Sequence, residues 1–211
     1  MEPIENLKKG FLKFQTSEFQ EKAAIWKDLV EKGQRPQIAV IACSDARVDP
    51  AIMMNTNPGE IFAIRNVANL VPPYDKTGGY HGTSAALEYA VQYLEVKHII
   101  VLGHAYCGGI DSLFSKHKPD LPGDNFIPSW MSIAEPAHRR VIATMPGAKE
   151  SDQIRACEKG SVLVSLENLM TFSCIREKVF NGELYLHGWF VDIHAGTLSC
   201  YNAESNQFEE L

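Results

Sequence analysis

Apolar residues gather into short unbroken runs through the middle of the chain, and each run stops at a residue able to do chemistry. Ile38-Ala39-Val40-Ile41-Ala42 ends at Cys43, and His98-Ile99-Ile100-Val101-Leu102-Gly103 ends at His104. Runs this short, rich in β-branched residues, predict strands buried on both faces, as in a parallel sheet. Glu60–Arg65 predicts another strand, and Ala86, Leu87, Ala90, Val91 and Leu94 mark one face of a helix from Thr83 to about Glu95. Strand, helix and strand of these lengths make a right-handed crossover unit.

On either side the pattern changes. Leu7, Phe11, Phe14, Phe19, Ile25, Trp26, Leu29 and Val30 recur at helical spacing among charged residues. They predict an N-terminal helical arm over residues 1–35, packed outside the main core or on a partner subunit. Gly33 and Pro36 bracket the break that follows, and Asp49-Pro50 reads as an N-cap with proline at the first helical position. Lys116–Asn125, with Pro119, Pro122 and Gly123, predicts a loop. Pro128-Ser129-Trp130 opens a helix, and residues from about 150 to 178 read as largely helical. Leu184–Ile193 and Thr197–Tyr201 around Ala195-Gly196 predict a C-terminal hairpin. The fold class expected is one α/β domain over residues 1–211, with a parallel-rich central sheet flanked by helices.

Open α/β sheets place ligands beyond the C-terminal ends of their strands. Cys43 and His104 sit there, and Cys107 follows His104 by three residues. Two thiolates and an imidazole suit zinc, and three protein ligands leave a fourth position open. Structural sites usually close with four, so this set predicts chemistry on a bound water. His-x-x-Cys alone is weak; the distant cysteine at a strand end strengthens it, against the plainer reading of two buried thiols beside a satisfied histidine. Gly108-Gly109 permit a turn into a helix near Ile110, whose dipole would favour the Cys107 thiolate. Asp45 and Arg47, just past Cys43, form a second informative pair. Asp45 can accept a hydrogen bond from a zinc-bound hydroxide while Arg47 keeps it ionised and aimed. The plainer alternative is a surface ion pair, worth little.

Composition narrows the class. A net charge of −6 argues against non-specific nucleic-acid binding. No apolar run approaches the roughly 20 residues a bilayer span needs, and Met1–Asn6 lack a signal or transit pattern. Five scattered cysteines do not form a secreted disulfide framework, and Cys157, Cys174 and Cys200 read as small apolar residues. The expected location is cytoplasmic, with no membrane or nucleic-acid partner.

Cys43-Ser44-Asp45-Ala46-Arg47, Arg65-Asn66-Val67-Ala68-Asn69 and Gly103-His104-x-x-Cys107-Gly108-Gly109 resemble the β-class carbonic anhydrases. The resemblance continues through Leu70–Tyr74, Glu88–Val91, Ser165–Leu169 and His187–Trp189, nearly the whole chain in order. It implies one zinc ion per chain on Cys43, His104 and Cys107, a catalytic dyad of Asp45 and Arg47, and reversible hydration of carbon dioxide to bicarbonate and a proton by zinc-bound hydroxide. It also implies a homodimer or higher even oligomer, with apolar pocket residues shared across the interface. Gln34, Phe62, Val67 and Tyr89 match the plant-like branch as substrate-pocket residues, and the resemblance implies that Gly103, which opens the Gly103–Gly109 motif, is substrate-binding as well. The other branch builds an allosteric bicarbonate site from Trp, Arg and Tyr. Here those positions are Val40, Arg65 and Val191, so that site is expected to be absent. The branch's proton-shuttle histidine is replaced by Tyr93, leaving His81 and His98 as alternatives. The rival readings are a carbonyl sulfide or carbon disulfide hydrolase on the same scaffold, with loops such as Lys116–Asn125 reshaping the entrance, a catalytically inactive zinc-binding regulatory protein, and a redox role for Cys43 and Cys107.

Overall fold

The computed structural model describes residues 2–114 and 126–211, so the expected loop Lys116–Asn125 lies outside the described residues. Among the described residues six strands, β1 (Ile38–Cys43), β2 (Ile61–Asn66), β3 (His98–His104), β4 (Tyr185–Asp192), β5 (Thr197–Asn202) and β6 (Gln207–Glu210), form one sheet in the order β2-β1-β3-β4-β5-β6. The first four run parallel, and β5 and β6 turn back antiparallel. The expected hairpin is therefore extended by a strand the sequence reading did not anticipate. Only four residues long, with Phe208 its single apolar side chain, β6 has too little alternation to announce itself.

Both faces of the central strands are covered, as their unbroken apolar runs require. Ala39, Ile41, Ile99 and Val101 pack on one side with Leu87, Val162, Leu169 and Ile175. Val40, Ala42, Ile100 and Leu102 pack on the other with Val191, Met53 and Met54.

The helices are α1 (Glu2–Thr16), α2 (Glu18–Glu21), α3 (Ala23–Lys32), α4 (Pro50–Met53), α5 (Gly82–Glu88), α6 (Gly108–Asp111), α7 (Phe126–Met131), α8 (Glu135–Thr144), α9 (Glu150–Leu169) and α10 (Ser173–Phe180). As expected, Asp49 caps α4 by accepting from the Ala51 and Ile52 amides. The helix expected over 83–95 is instead interrupted. After α5 the chain forms a π-helical turn over Tyr89–Tyr93, and Glu95 ends it at φ 53°. The wider turn brings Tyr89 and Tyr93 face to face, ring centroids 5.3 Å apart.

Helix α9 is the element that supports the site from behind. It lies close on β3 and β4 because two strand positions lack a side chain. A Cβ at Gly103 would fall 2.4 Å from Val162 Cγ2, and one at Gly188 would fall 3.1 Å from both Val162 and Leu166. The arm behaves differently: α1, α2 and α3 bury no residue, and Ile4, Leu7, Phe11 and Leu12 stand more than half exposed.

Candidate metal centre and active site

β1 and β3 are neighbours, so the residues that end them meet. The ligand atoms of Cys43, His104 and Cys107 all lie within 4.8 Å of one another, and all three residues are buried. His104 Nδ1 lies 2.9 Å from the Ala105 carbonyl, which makes Nδ1 the protonated nitrogen. Its Nε2 is buried and, among the described residues, has no hydrogen-bond partner. An orphaned imidazole lone pair facing two buried thiols fits a zinc ion, and the Nδ1 contact supplies the outer support such a ligand uses.

The Cys43 sulfur also accepts backbone N–H groups, from Asp45 at 3.4 Å and Ala68 at 3.3 Å. The Cys43 thiol is pulled down to about 4, first by its hydrogen bond with Cys107, with His104 and those amides helping against burial. Cys107 moves the opposite way, because the neighbouring Cys43 and burial both disfavour a second thiolate. The expected dipole assistance at Cys107 is outweighed: α6 spans only four residues. Burial presses His104 toward the neutral form, but the Cys43 thiolate carries its pKa above the ordinary value. Two thiols and an imidazole thus compete for protons that a divalent cation would displace.

Asp45 and Arg47 form a bidentate pair. Arg47 Nε donates to Asp45 Oδ1 at 2.9 Å and Nη2 to Oδ2 at 2.6 Å, and the Arg47 amide adds a third bond to Oδ1 at 2.9 Å. The guanidinium holds the Asp45 carboxyl well below the usual carboxylate range. Arg65 fixes the same loop from below, donating to the carbonyls of Cys43 at 3.0 Å and Asp45 at 2.8 Å and pairing with Asp49 at 2.8 Å. Its guanidinium is thus committed to that loop, while Val40 on β1 and Val191 on β4 are both buried apolar residues.

Val67 joins the centre within the chain: it follows β2 directly and packs in the cluster that contains Cys43 and Cys107. Gly103 serves it through the close seat of α9 rather than through a side chain of its own. Gln34, Phe62 and Tyr89 are elsewhere. Phe62 pairs with Ala39, four residues before Cys43 and so about 13 Å along the strand. Tyr89 lies beside Phe62, ring centroids 6.0 Å apart, and Gln34 precedes β1 at the same end. The expected pocket residues are therefore split between the two ends of the parallel strands. His98 is also at the far end, its Nδ1 3.1 Å from His187 Nε2, and His81 is exposed with Nε2 3.3 Å from the Gly78 carbonyl.

Sequence reasoning missed Glu158 on α9. It is 2% exposed, and its Oε1 accepts the Cys107 amide at 2.8 Å. Burial raises its pKa, against the pull of that amide and of Arg155. A lone glutamate within a helix carries no signal by itself; its proximity to Cys157 and Ser161 in a buried stretch was the only hint.

Comparison with known proteins identifies the family. Residues 38–198 match the family model described as carbonic anhydrase. The chain is similar to Beta carbonic anhydrase 3 of Arabidopsis thaliana, 37% identical over 205 residues, covering 97% of this chain and 79% of that protein. Among solved structures it is similar to the β-carbonic anhydrase CcaA, with a TM-score of 0.87 at 33% identity over 99% of each chain. It is also similar to tetrameric β-carbonic anhydrases of the ascomycete Sordaria macrospora, with a TM-score of 0.80 at 26% identity, covering 96% of this chain and 98% of that one. The chain belongs to the carbonic anhydrase family, in its β class.

Proposed function

We propose that Cys43, His104 and Cys107 hold the zinc ion and that Asp45 and Arg47 are the dyad through which this chain works as a carbonic anhydrase, interconverting carbon dioxide and bicarbonate. The observation that carries the reading is the buried trio with its free His104 Nε2, set directly beside an ionised carboxylate. When bound, zinc supplies a Lewis acid that makes water nucleophilic near neutral pH. Asp45 cannot donate a proton in that range, so it accepts one hydrogen bond and turns a lone pair of the attacking oxygen toward the substrate carbon. Arg47 neutralises and aims Asp45, and the proton that is released leaves to buffer.

Gln34, Phe62 and Tyr89 complete the pocket when contributed by a second copy of this chain. Their distance from Cys43 within one chain and the uncovered apolar face of the arm both support a homodimer or higher even oligomer. Tetrameric relatives support the higher state. Phe62, Val67 and Tyr89 give the pocket an apolar wall suited to carbon dioxide. Five free cysteines, two of them ligands, suit a reducing, cytoplasmic setting. No helix among the described residues is long and apolar enough to cross a membrane.

Stopped-flow hydration of carbon dioxide by zinc-replete protein, from about pH 6.5 to 9, tests the reaction around the pKa of a zinc-bound water. Fast turnover that rises with pH is expected. Absence of turnover with zinc bound would reject the reading, and hydrolysis of carbonyl sulfide or carbon disulfide in the same assay would replace it.

A further inference from the structure

The peptide group between Tyr106 and Cys107 is held at both ends. Its carbonyl accepts Arg47 Nη2 at 3.0 Å, and its N–H donates to Glu158 Oε1 at 2.8 Å. Tyr106 sits at φ 60°, the left-handed region that side chains other than glycine seldom occupy, so the turn that delivers Cys107 needs external support. Glu158 is an expensive support. A carboxylate 2% exposed on the inner face of α9 gives up its hydration, and a leucine would pack there without that cost. Among the described residues Oε2 has no hydrogen bond; the Arg155 guanidinium lies 3.4 Å from it. Arg155 in turn lies over the Tyr106 ring at 4.7 Å. Arg155 also pairs with Asp192 at 3.3 Å, so the Glu158–Arg155 pair ties the 106–107 segment to the end of β4.

We propose that Glu158 is a positioning residue for the zinc centre. By accepting the Cys107 amide it fixes the plane of the 106–107 peptide, which sets both the approach of Cys107 Sγ and the carbonyl on which Arg47 rests. The dyad and the third ligand are thereby oriented by one buried carboxylate that touches neither substrate nor metal. The inference rests on the ligand set proposed above.

Zinc content of the wild-type protein is measured first; its absence would reject the ligand set and say nothing against Glu158 in particular. The test then compares Glu158→Met, which fills the space without an acceptor, Glu158→Asp, whose oxygen is withdrawn by one methylene, and Glu158→Gln, which keeps an acceptor oxygen in place. Release of zinc to a colorimetric chelator and the thiolate absorption of the cobalt(II)-substituted protein are the readouts, since a merely structural change would lower the melting temperature and leave both unmoved. Glu158→Met and Glu158→Asp are expected to release zinc about 10- to 100-fold faster, the range for lost support of a metal ligand, and to shift the cobalt spectrum. Glu158→Gln should restore most of the wild-type behaviour. Wild-type release and spectrum in Glu158→Asp, or equal impairment of Glu158→Gln and Glu158→Met, would overturn the proposal. If Glu158→Met does not fold, Glu158→Asp and Glu158→Gln decide it alone.

Discussion

Arg47 reaches the carbonyl of Tyr106, 59 residues further along the chain, at 3.0 Å, while holding Asp45 with the same nitrogen at 2.6 Å. The dyad is thus tied to the turn that carries His104 and Cys107, and an exposed ion pair of little intrinsic worth becomes part of the metal centre's frame.

Asp45→Asn keeps the shape of that pair and removes its charge. Turnover is expected to fall by about 100-fold or more, the scale on which a positioned hydrogen-bonding group contributes. Zinc content should stay near one per chain. Stopped-flow rates read beside metal analysis check this; a variant turning over at nearly the wild-type rate would remove Asp45 from the mechanism.

Gly103→Ala introduces a methyl 2.4 Å from Val162 Cγ2, one residue before His104. Strain of this kind costs about 1–3 kcal/mol, and denaturant melts should show it. Adding Val162→Ala makes room for the new methyl, so the double variant should recover part of the loss. A single variant as stable as the wild type would mean that α9 can simply back away.

His98 and His187 share one hydrogen bond across neighbouring strands, 3.1 Å from Nδ1 to Nε2, so one nitrogen must supply a lone pair. Burial, then the neighbouring His98, depresses the His187 pKa below its ordinary 6.5. The unfolded chain therefore takes up this proton more readily than the folded one. Stability from the pair is complete above about pH 6.5 and declines as pH falls below it. Melting temperatures measured from about pH 8 to 5.5 should fall less steeply in His187→Gln than in the wild type; identical slopes would exclude the pair as the source.

The half-sites proposed at opposite ends of the parallel strands predict complementation. A chain carrying Asp45→Asn and another carrying Gln34→Ala with Tyr89→Ala are each expected to be nearly inactive. After subunit exchange at equal amounts, half of the dimers are mixed and each has one intact site, so about a quarter of wild-type activity should return. If the mixture stayed as inactive as its parts, each chain would have to build its pocket alone.

The strands ending at Cys43 and His104 were legible because burial on both faces leaves an unbroken apolar run, and their termini marked two candidate ligands at once. The cap at Asp49 was legible because its chemistry is local. What stayed hidden depends on contacts between distant residues. Tyr89–Tyr93 continues a helical apolar pattern, and only the stacking of two tyrosines reveals the wider turn. Helix α8 was not anticipated either: its sequence is polar on average, and the buried Ala137 and Val141 show a face only once α9 lies against them. Glu158 looks like any helical glutamate until the Cys107 amide is found beside it.

The pocket proposed above, divided between Cys43 at one end of β1 and Phe62 beside the other, would follow the law of mass action. Diluted below the dissociation constant of the assembly, such an enzyme keeps its metal and its fold yet loses its rate, because what disperses is the wall of the pocket rather than the nucleophile. The amount of chain present would then set how much of it is enzyme, giving output a steeper than proportional dependence on expression.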